Sequence, residues 1–549
     1  MDYKRILFGI SLSIVSFSGW AVKAKPEIID YVQPDGTTIK MRLHGDENCH
    51  YATDIDGHLM TLNKGGFYEY AANDVTVKTL MAESNNGRRK GSPKYRYSSS
   101  AFPTVGEPHS LVILVEYPDY GFNVENPKEY FEEFLNGDNF QKDGATGSCK
   151  KFYSENSYGA FIPTFDVYGP VKLKNNRRYY GGGNELNAYE MVVEAVEALD
   201  FQVDFSRYDH NDDGYVDSVY IIYSDKGEAD GGPAEAVWPY SWELEEEGIS
   251  LSADGVKFNT YGCSNELQND NQIEGIGTFT HEFGHVLGLP DLYNTSNSYD
   301  NSTPDVWSLM DSGSYHNDCR TPCNLSSFER YSLGWLSPEE LLASGEYLLG
   351  NLADTNKAFI MTTEEKEEEF FIAEYRRKSG WDSYLPAEGM LVWHIDFNQD
   401  AWDENIVNNN SRHQYAMLVR ADGTNGSDTF NGDPFPGNKR VTEFGSTTTP
   451  ALQSWNGNNL NVLALIDIRE SGEGSLYFTV TVNEFRGDAG IGEMVSESGI
   501  TVSGDRISVS EGSFPVYDVS GKRIGIVSHE KDIVLNKGIY IVNGKKIII

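Results

Sequence analysis

Residues 281–291 read HEFGHVLGLPD, and no other stretch of the chain restricts its folding so tightly. His281 and His285 are four apart, so a helix projects both from one face, one turn above the other. Neutral imidazoles in that arrangement can share one Zn²⁺, at about 2.0–2.1 Å each. Glu282 follows the first histidine, where its carboxylate can reach a water rather than the ion and act as a general base. Gly288 permits the positive-φ turn that ends a helix and Pro290 prevents its continuation, so Asp291 can arrive as a third, oxygen ligand. A bare HExxH recurs by chance in long chains. The extension ties this one to a helix that stops and folds back.

Downstream, WSLMDSGSY (307–315) places Met310 before Asp311, Ser312 and Gly313, all turn formers. This resembles the methionine turn that underlies the site in metzincins, zinc peptidases with the HExxHxxGxx(H/D) pattern. A second carboxylate competes for the third ligand position. Glu329, in SSFERYSLGW, would arrive on a separate helix, whereas Asp291 needs the fold-back that Gly288 and Pro290 provide. Asp291 is preferred and Glu329 is the alternative. Tyr315 is a candidate to stabilise a developing oxyanion.

At 549 residues the chain is too long for one core. Asp and Glu outnumber Lys and Arg 83 to 44, a formal net charge of −39 that argues against nucleic-acid or anionic-membrane partners. With 13% aromatic residues, such an acidic chain is still expected to fold. Lys4, Arg5, the apolar run Ile6–Trp20 and Val22-Lys23-Ala24 read as a secretory signal peptide over 1–24, cut after Ala24 or, as second choice, after Ala21. No later run is long enough for a membrane span. Five cysteines (49, 149, 263, 319 and 323) fit an exported protein that does not rely on disulfides. Cys319 and Cys323 could close a small loop. Cys49 is either an ordinary buried thiol or a thiolate plug on the zinc.

Residues 25–105 read as a β-rich propeptide, punctuated by PDGT, HGDE, IDGH and NKGG. It ends in the basic linker NNGRRKGSPKYR (85–96), where a processing protease could cut near Arg88–Lys90. A catalytic domain is expected over 106–338. SLVILVEY (110–117) and SVYIIYS (218–224) read as buried strands, FIPTFDVYGPVKL (161–173) as an extended strand, and 148–159 and 186–199 as helices. DHNDDGYVD (209–217) offers Asp209, Asn211, Asp213 and Asp217 in the spacing of the front of an EF-hand loop. Tyr220 stands where the bidentate glutamate belongs, so a weak structural Ca²⁺ site or a plain acidic turn is expected. Residues 339–484 read as a β-sandwich and 485–549 as a further β module.

The zinc motif, SLVILVEY, DHNDDGYVDSVYIIY, AVWPYSWEL, WSLMDSG, SSFERYSLGWL and GMLVWHID resemble family M6 metallopeptidases, the immune inhibitor A group. The resemblance implies an α/β (α+β), metzincin-like secreted zinc endopeptidase made as a zymogen and acting on proteins or peptides. Within it, His281 and His285 would be zinc ligands and Glu282 the base. Snapalysin-type peptidases share the GLPD extension, which supports Asp291. Tyr240 stands where the family's WPxSW segment is expected to carry histidine. The last sixty or so residues resemble C-terminal sorting domains of exported proteins. The rival is a non-catalytic adhesin or glycan-binding protein on a peptidase scaffold, against which the presence of Glu282 argues.

Overall fold

The computed structural model describes residues 20–46, 50–63, 65–72, 75, 77, 102–181, 187–296, 303–363, 366, 368–458, 460–482 and parts of 494–548. They form two compact units, one ending at Thr481 and the other beginning at Val482. Cys49 and the basic linker 85–96 lie outside the described residues.

The first unit opens with a two-residue strand, β1 (Trp20–Ala21). An antiparallel sheet follows in chain order: β2 (Ile29–Val32), β3 (Thr38–Gly45), β4 (His50–Asp54), β5 (Leu59–Leu62) and β6 (Tyr68–Tyr70). PDGT, IDGH and NKGG supply three of its turns. Asp and Gly suit those corners because they tolerate local side-chain bonding and positive φ; Gly36, Gly57 and Gly66 all adopt it.

Next come β7 (His109–Glu116), β8 (Thr164–Lys172), β9 (Tyr215–Val216), β10 (Val219–Lys226), β11 (Tyr240–Glu243), β12 (Leu251–Ala253), β13 (Val256–Phe258) and β14 (Thr260–Leu267). Six strands build the main sheet in the order β1-β11-β14-β10-β7-β8, while β12, β13 and β9 form a small one. Strands β14, β10, β7 and β8 are parallel, and β11 runs antiparallel to β14. The apolar runs at 110–117 and 218–224 are central strands, and Leu111–Val115 and Val219–Tyr223 are wholly buried. A parallel sheet covered on both faces requires such continuous apolar stretches.

Helix Cys149–Asn156 is capped by Ser148, whose side chain accepts from Lys151 N, and helix Tyr189–Leu199 buries Met191, Val192, Val196 and Leu199. The motif helix, Ile276–Val286, is buried along its whole length. Phe279 and Phe283 pack edge-on against Phe165 at 5.1 and 5.2 Å between ring centroids. On another face, Gly277 lets the 314–319 segment approach: a Cβ there would lie 2.0 Å from the Ser314 carbonyl oxygen. The helix is therefore fixed from both sides before any ligand is considered.

Past the motif, β15 (Glu339–Glu340), β17 (Phe359–Thr362), β18 (Glu369–Arg376), β19 (Gly389–Asp396) and β20 (Ala416–Val419) form a five-stranded sheet. A four-stranded sheet joins β16 (Gly345–Gly350), β23 (Ser475–Val482), β22 (Val462–Glu470) and β21 (Phe444–Gly445). Strands β18 and β19 are buried at every position, and Phe370, Ile372, Leu391 and Trp393 share one core with Phe279 and Phe283. The second unit contains two four-stranded sheets around Ile507, Val516, Val527 and Val542. Cys149, Cys263, Cys319 and Cys323 are buried free thiols, so Cys319 and Cys323 do not close a loop. Among the described residues, no helix is long and apolar enough to cross a membrane.

Candidate active site

The turn after the motif helix does what its residues require. Gly288 adopts φ +94°, Leu289 N donates to the Gly284 carbonyl, and the chain folds back so that Asp291 reaches the histidines. Nε2 of His281 and Nε2 of His285 lie 3.1 and 3.3 Å from Asp291 Oδ1, and all three side chains are buried. Beyond that mutual contact, His281 Nε2 and Asp291 Oδ1 have no hydrogen-bond partner among the described residues. Buried polar atoms left in that state usually answer to a ligand, and two imidazole nitrogens with one carboxylate oxygen are a donor set that suits Zn²⁺.

The supporting contacts select the same atoms. His281 Nδ1 bonds the Leu309 carbonyl at 2.8 Å and His285 Nδ1 the Leu289 carbonyl at 2.7 Å, which turns both Nε2 atoms toward Asp291. Burial lowers the His285 pKa, favouring the neutral imidazole. Burial alone would raise the Asp291 carboxyl, but His285 and His281 hold it down at about 2. A neutral imidazole beside an ionised carboxylate is the state that accepts a cation. Asn405 donates to Asp291 Oδ2 at 2.6 Å and accepts from Asp291 N at 2.8 Å.

Met310 lies under the motif helix: a Cβ on Gly284 would come within 2.7 Å of its sulfur, and its carbonyl accepts from Leu292 N at 2.8 Å. Glu329 is elsewhere. It completes a capping box with Ser326 and accepts from Ser308 Oγ at 2.7 Å, so its oxygens serve a helix start. Of the two competing carboxylates, the structure brings Asp291 to the histidines and leaves Glu329 out.

The chain's own amino-terminal segment lies in the cleft above Glu282. β1 pairs antiparallel with the edge strand β11, Trp20 opposite Ser241 and Ala21 opposite Tyr240. Val22 N donates to Glu282 Oε1 at 2.8 Å, Trp238 Nε1 donates to the Val22 carbonyl at 2.9 Å, and the Tyr315 hydroxyl donates to the Lys23 carbonyl at 2.5 Å. Strand addition to an exposed sheet edge is a general way to hold an extended peptide, and here the held peptide passes over Glu282.

Residues 104–337 match the family profile described as "Immune inhibitor A peptidase M6, catalytic domain". The match to the M6 peptidase family lies in this part of the chain. Over 285 residues it is 30% identical to the pre-pro-metalloprotease PrtV of Vibrio cholerae serotype O1, an alignment covering 42% of this chain and 31% of that protein. It is 26% identical over 247 residues to Immune inhibitor A of Bacillus thuringiensis subsp. alesti, covering 37% of this chain and 36% of the other. The chain thus matches about a third of the length of these relatives.

Within the M6 domain, the 209–217 loop is held by its own backbone. Asp209 accepts from Asp213 N and Gly214 N, Asn211 Oδ1 from Asp213 N, and Asp213 Oδ1 from Tyr215 N. Asp217 turns to His210 Nδ1, at 2.6 Å. Among the described residues, only two groups of three or more acidic, cysteine or histidine donors converge within 4.8 Å: His281, His285 and Asp291, and the turn residues Asp54, Asp56 and His58. Asp209, Asp213 and Asp217 do not form such a group. Tyr240 is a buried strand residue whose hydroxyl lies 2.7 Å from that of Tyr261. Sequence reasoning missed Asn405, Trp238, the edge strand β11 and the segment lying on it. Asn405 is 114 residues from the aspartate it holds, and β11 is only four residues long.

Proposed function

We propose that this chain is a secreted zinc-dependent endopeptidase of the M6 type, held latent by its amino-terminal segment. The reading rests on one observation: a stretch of polypeptide passes beside the His281–His285–Asp291 cluster, with the Val22 amide on Glu282 and the Lys23 carbonyl on Tyr315. A cleft that accepts the chain's own backbone in this manner suits a polypeptide substrate.

His281, His285 and Asp291 would hold the zinc, which supplies Lewis-acid polarisation of a carbonyl and makes water more acidic. Glu282 takes the proton from the attacking water and passes it to the departing amine. Tyr315, whose hydroxyl burial keeps protonated, donates to the carbonyl oxygen as it gains charge. Strand β11 holds the substrate main chain in register, and Asn405 steadies Asp291. While Val22 occupies Glu282 the base is engaged, which accounts for latency; a cut near Arg88–Lys90 would release the module of β2–β6 from the catalytic part.

Val22 and Ala24 are both buried, so a cut after Ala21 suits the fold better than one after Ala24; it removes β1 but keeps the contacts of Val22 with Glu282 and of Lys23 with Tyr315. The second unit is read as a sorting module.

Zinc analysis with casein cleavage, before and after limited trypsin treatment, tests the reading. One zinc per chain and activity that appears on cutting, vanishes with chelator and returns with Zn²⁺ is the expected result. A zinc-loaded, cut protein that leaves casein and all peptides intact would defeat it.

A further inference from the structure

Two lysines of the segment in the cleft meet carboxylates that the proposed chemistry does not use. Lys23 Nζ lies 3.4 Å from Asp311 Oδ1, and the Asp311 side chain is completely buried. That carboxylate is fixed before any cation arrives: Ser312 N and Ser312 Oγ donate to Oδ1, and Asp305 N donates to Oδ2. The ring of Tyr293 lies 5.9 Å from the same ammonium. Burial alone would lower the Lys23 pKa, but Asp311 and Asp305 hold it above the ordinary lysine range.

Two residues on, Lys25 Nζ lies 3.0 Å from Asp318 Oδ1. Asp230 contributes to the potential at that ammonium; it is 3% exposed, and its Oδ1 has no hydrogen-bond partner among the described residues. Glu274 lies behind it, and Asn265 Nδ2 contacts both carboxylates.

We propose that these two acidic pockets are substrate subsites, and that the cleft selects polypeptides carrying lysine or arginine at two positions separated by one residue. The first basic side chain would meet Asp311, with Asp305 and Tyr293, and the second would meet Asp318 and Asp230. This deepens the endopeptidase reading and rests on it. The Lys23 main chain makes the contact expected of a substrate, its carbonyl on Tyr315, so a peptide bound in that register brings its side chains to the same pockets. When residues 20–25 leave, Asp311 and Asp318 lose their lysine partners. Burying carboxylates without a cation is costly, so an incoming basic side chain recovers an interaction the empty cleft lacks.

The test uses two quenched peptides of identical sequence except that one carries Lys-x-Lys and the other norleucine-x-norleucine. Both are offered to the full zinc-loaded chain after trypsin treatment and inhibition of the trypsin. The expected kcat/KM ratio is about tenfold or more in favour of lysine, and Asp318→Asn should shrink that ratio by weakening the second position. Binding of the same peptides to Glu282→Gln is followed by fluorescence, and tighter capture of the lysine peptide is expected there too. Equal rates and equal binding would overturn the subsites while leaving the endopeptidase intact. Charge-selective binding without any hydrolysis by the unsubstituted protein would support the pockets and sink the catalytic reading instead. Failure both to bind and to cut either peptide would overturn both.

Discussion

Two stretches of this chain carry metal-ligand spacing, and the fold treats them in opposite ways. At 281–291, Nδ1 of each histidine is engaged by a carbonyl while His281 Nε2 and Asp291 Oδ1 keep no hydrogen-bond partner among the described residues. At 209–217, Asp209, Asn211 and Asp213 accept from amides of their own turn and Asp217 Oδ2 from His210, which leaves only Asp217 Oδ1 without a hydrogen-bond partner among the described residues. Spacing alone reads both as ligands. The difference lies in what else satisfies the donor atoms: a short acidic loop can supply its own amides, whereas a helix has none to spare for side chains on its face. A motif whose donors must be held from elsewhere in the fold therefore carries more information than one that can close on itself.

The largest effect that could break this contrast is at the third ligand. Asp291→Ala should weaken zinc binding by well over about 100-fold, whereas Glu329→Ala, which removes a helix cap, should leave zinc affinity within a few-fold and lower thermal stability instead. Side-by-side zinc titrations decide it; loss of metal only in the Glu329 variant would reverse the assignment.

Asn405→Ala comes next. It removes the bonds that orient Asp291 while sparing every ligand atom, so a zinc affinity lower by about 10–100-fold is expected. An unchanged affinity would mean that Asp291 is held well enough without it.

Latency should respond to pH through His50. Its Nε2 lies 3.1 Å from Glu228, and its ring stacks on Trp238, which also holds the Val22 carbonyl. Burial alone would lower the His50 pKa, but the Glu228 carboxylate pushes it up to about 9. A raised histidine pKa stabilises docking fully below about pH 6.5 and loses that contribution as pH rises through about 9. Basal activity of the uncut chain, normalised to the cut enzyme, should therefore rise between pH 7 and 9.5, by up to about 60-fold. His50→Ala should flatten that rise; an identical profile in the variant would remove His50 from the mechanism of latency.

The smallest effect sharpens the other side of the contrast. Asp213→Ala deletes a turn acceptor and should cost about 1 kcal/mol, equally with and without calcium. A melting difference that appears only in calcium would make 209–217 a cation site after all.

The local part of this architecture was legible in the sequence, because its determinants are local. HEFGHVLGLPD contains both the helix and its termination, and the apolar runs at 110–117 and 218–224 became β7 and β10 because only a doubly covered strand tolerates them. Met310 followed from the turn chemistry around it. What stayed hidden depends on distant partners. Nothing in DENIVNNN marks Asn405 as the residue that grips Asp291, and YSWE is too short to announce the strand that pairs with β1.

The most direct test of the site is Glu282→Gln, which removes the base and leaves all three metal-holding side chains in place. Zinc content should stay at one per chain while casein hydrolysis by the trypsin-cut variant falls to background. Substantial hydrolysis by a fully metallated Glu282→Gln variant would contradict the assignment of Glu282 as general base.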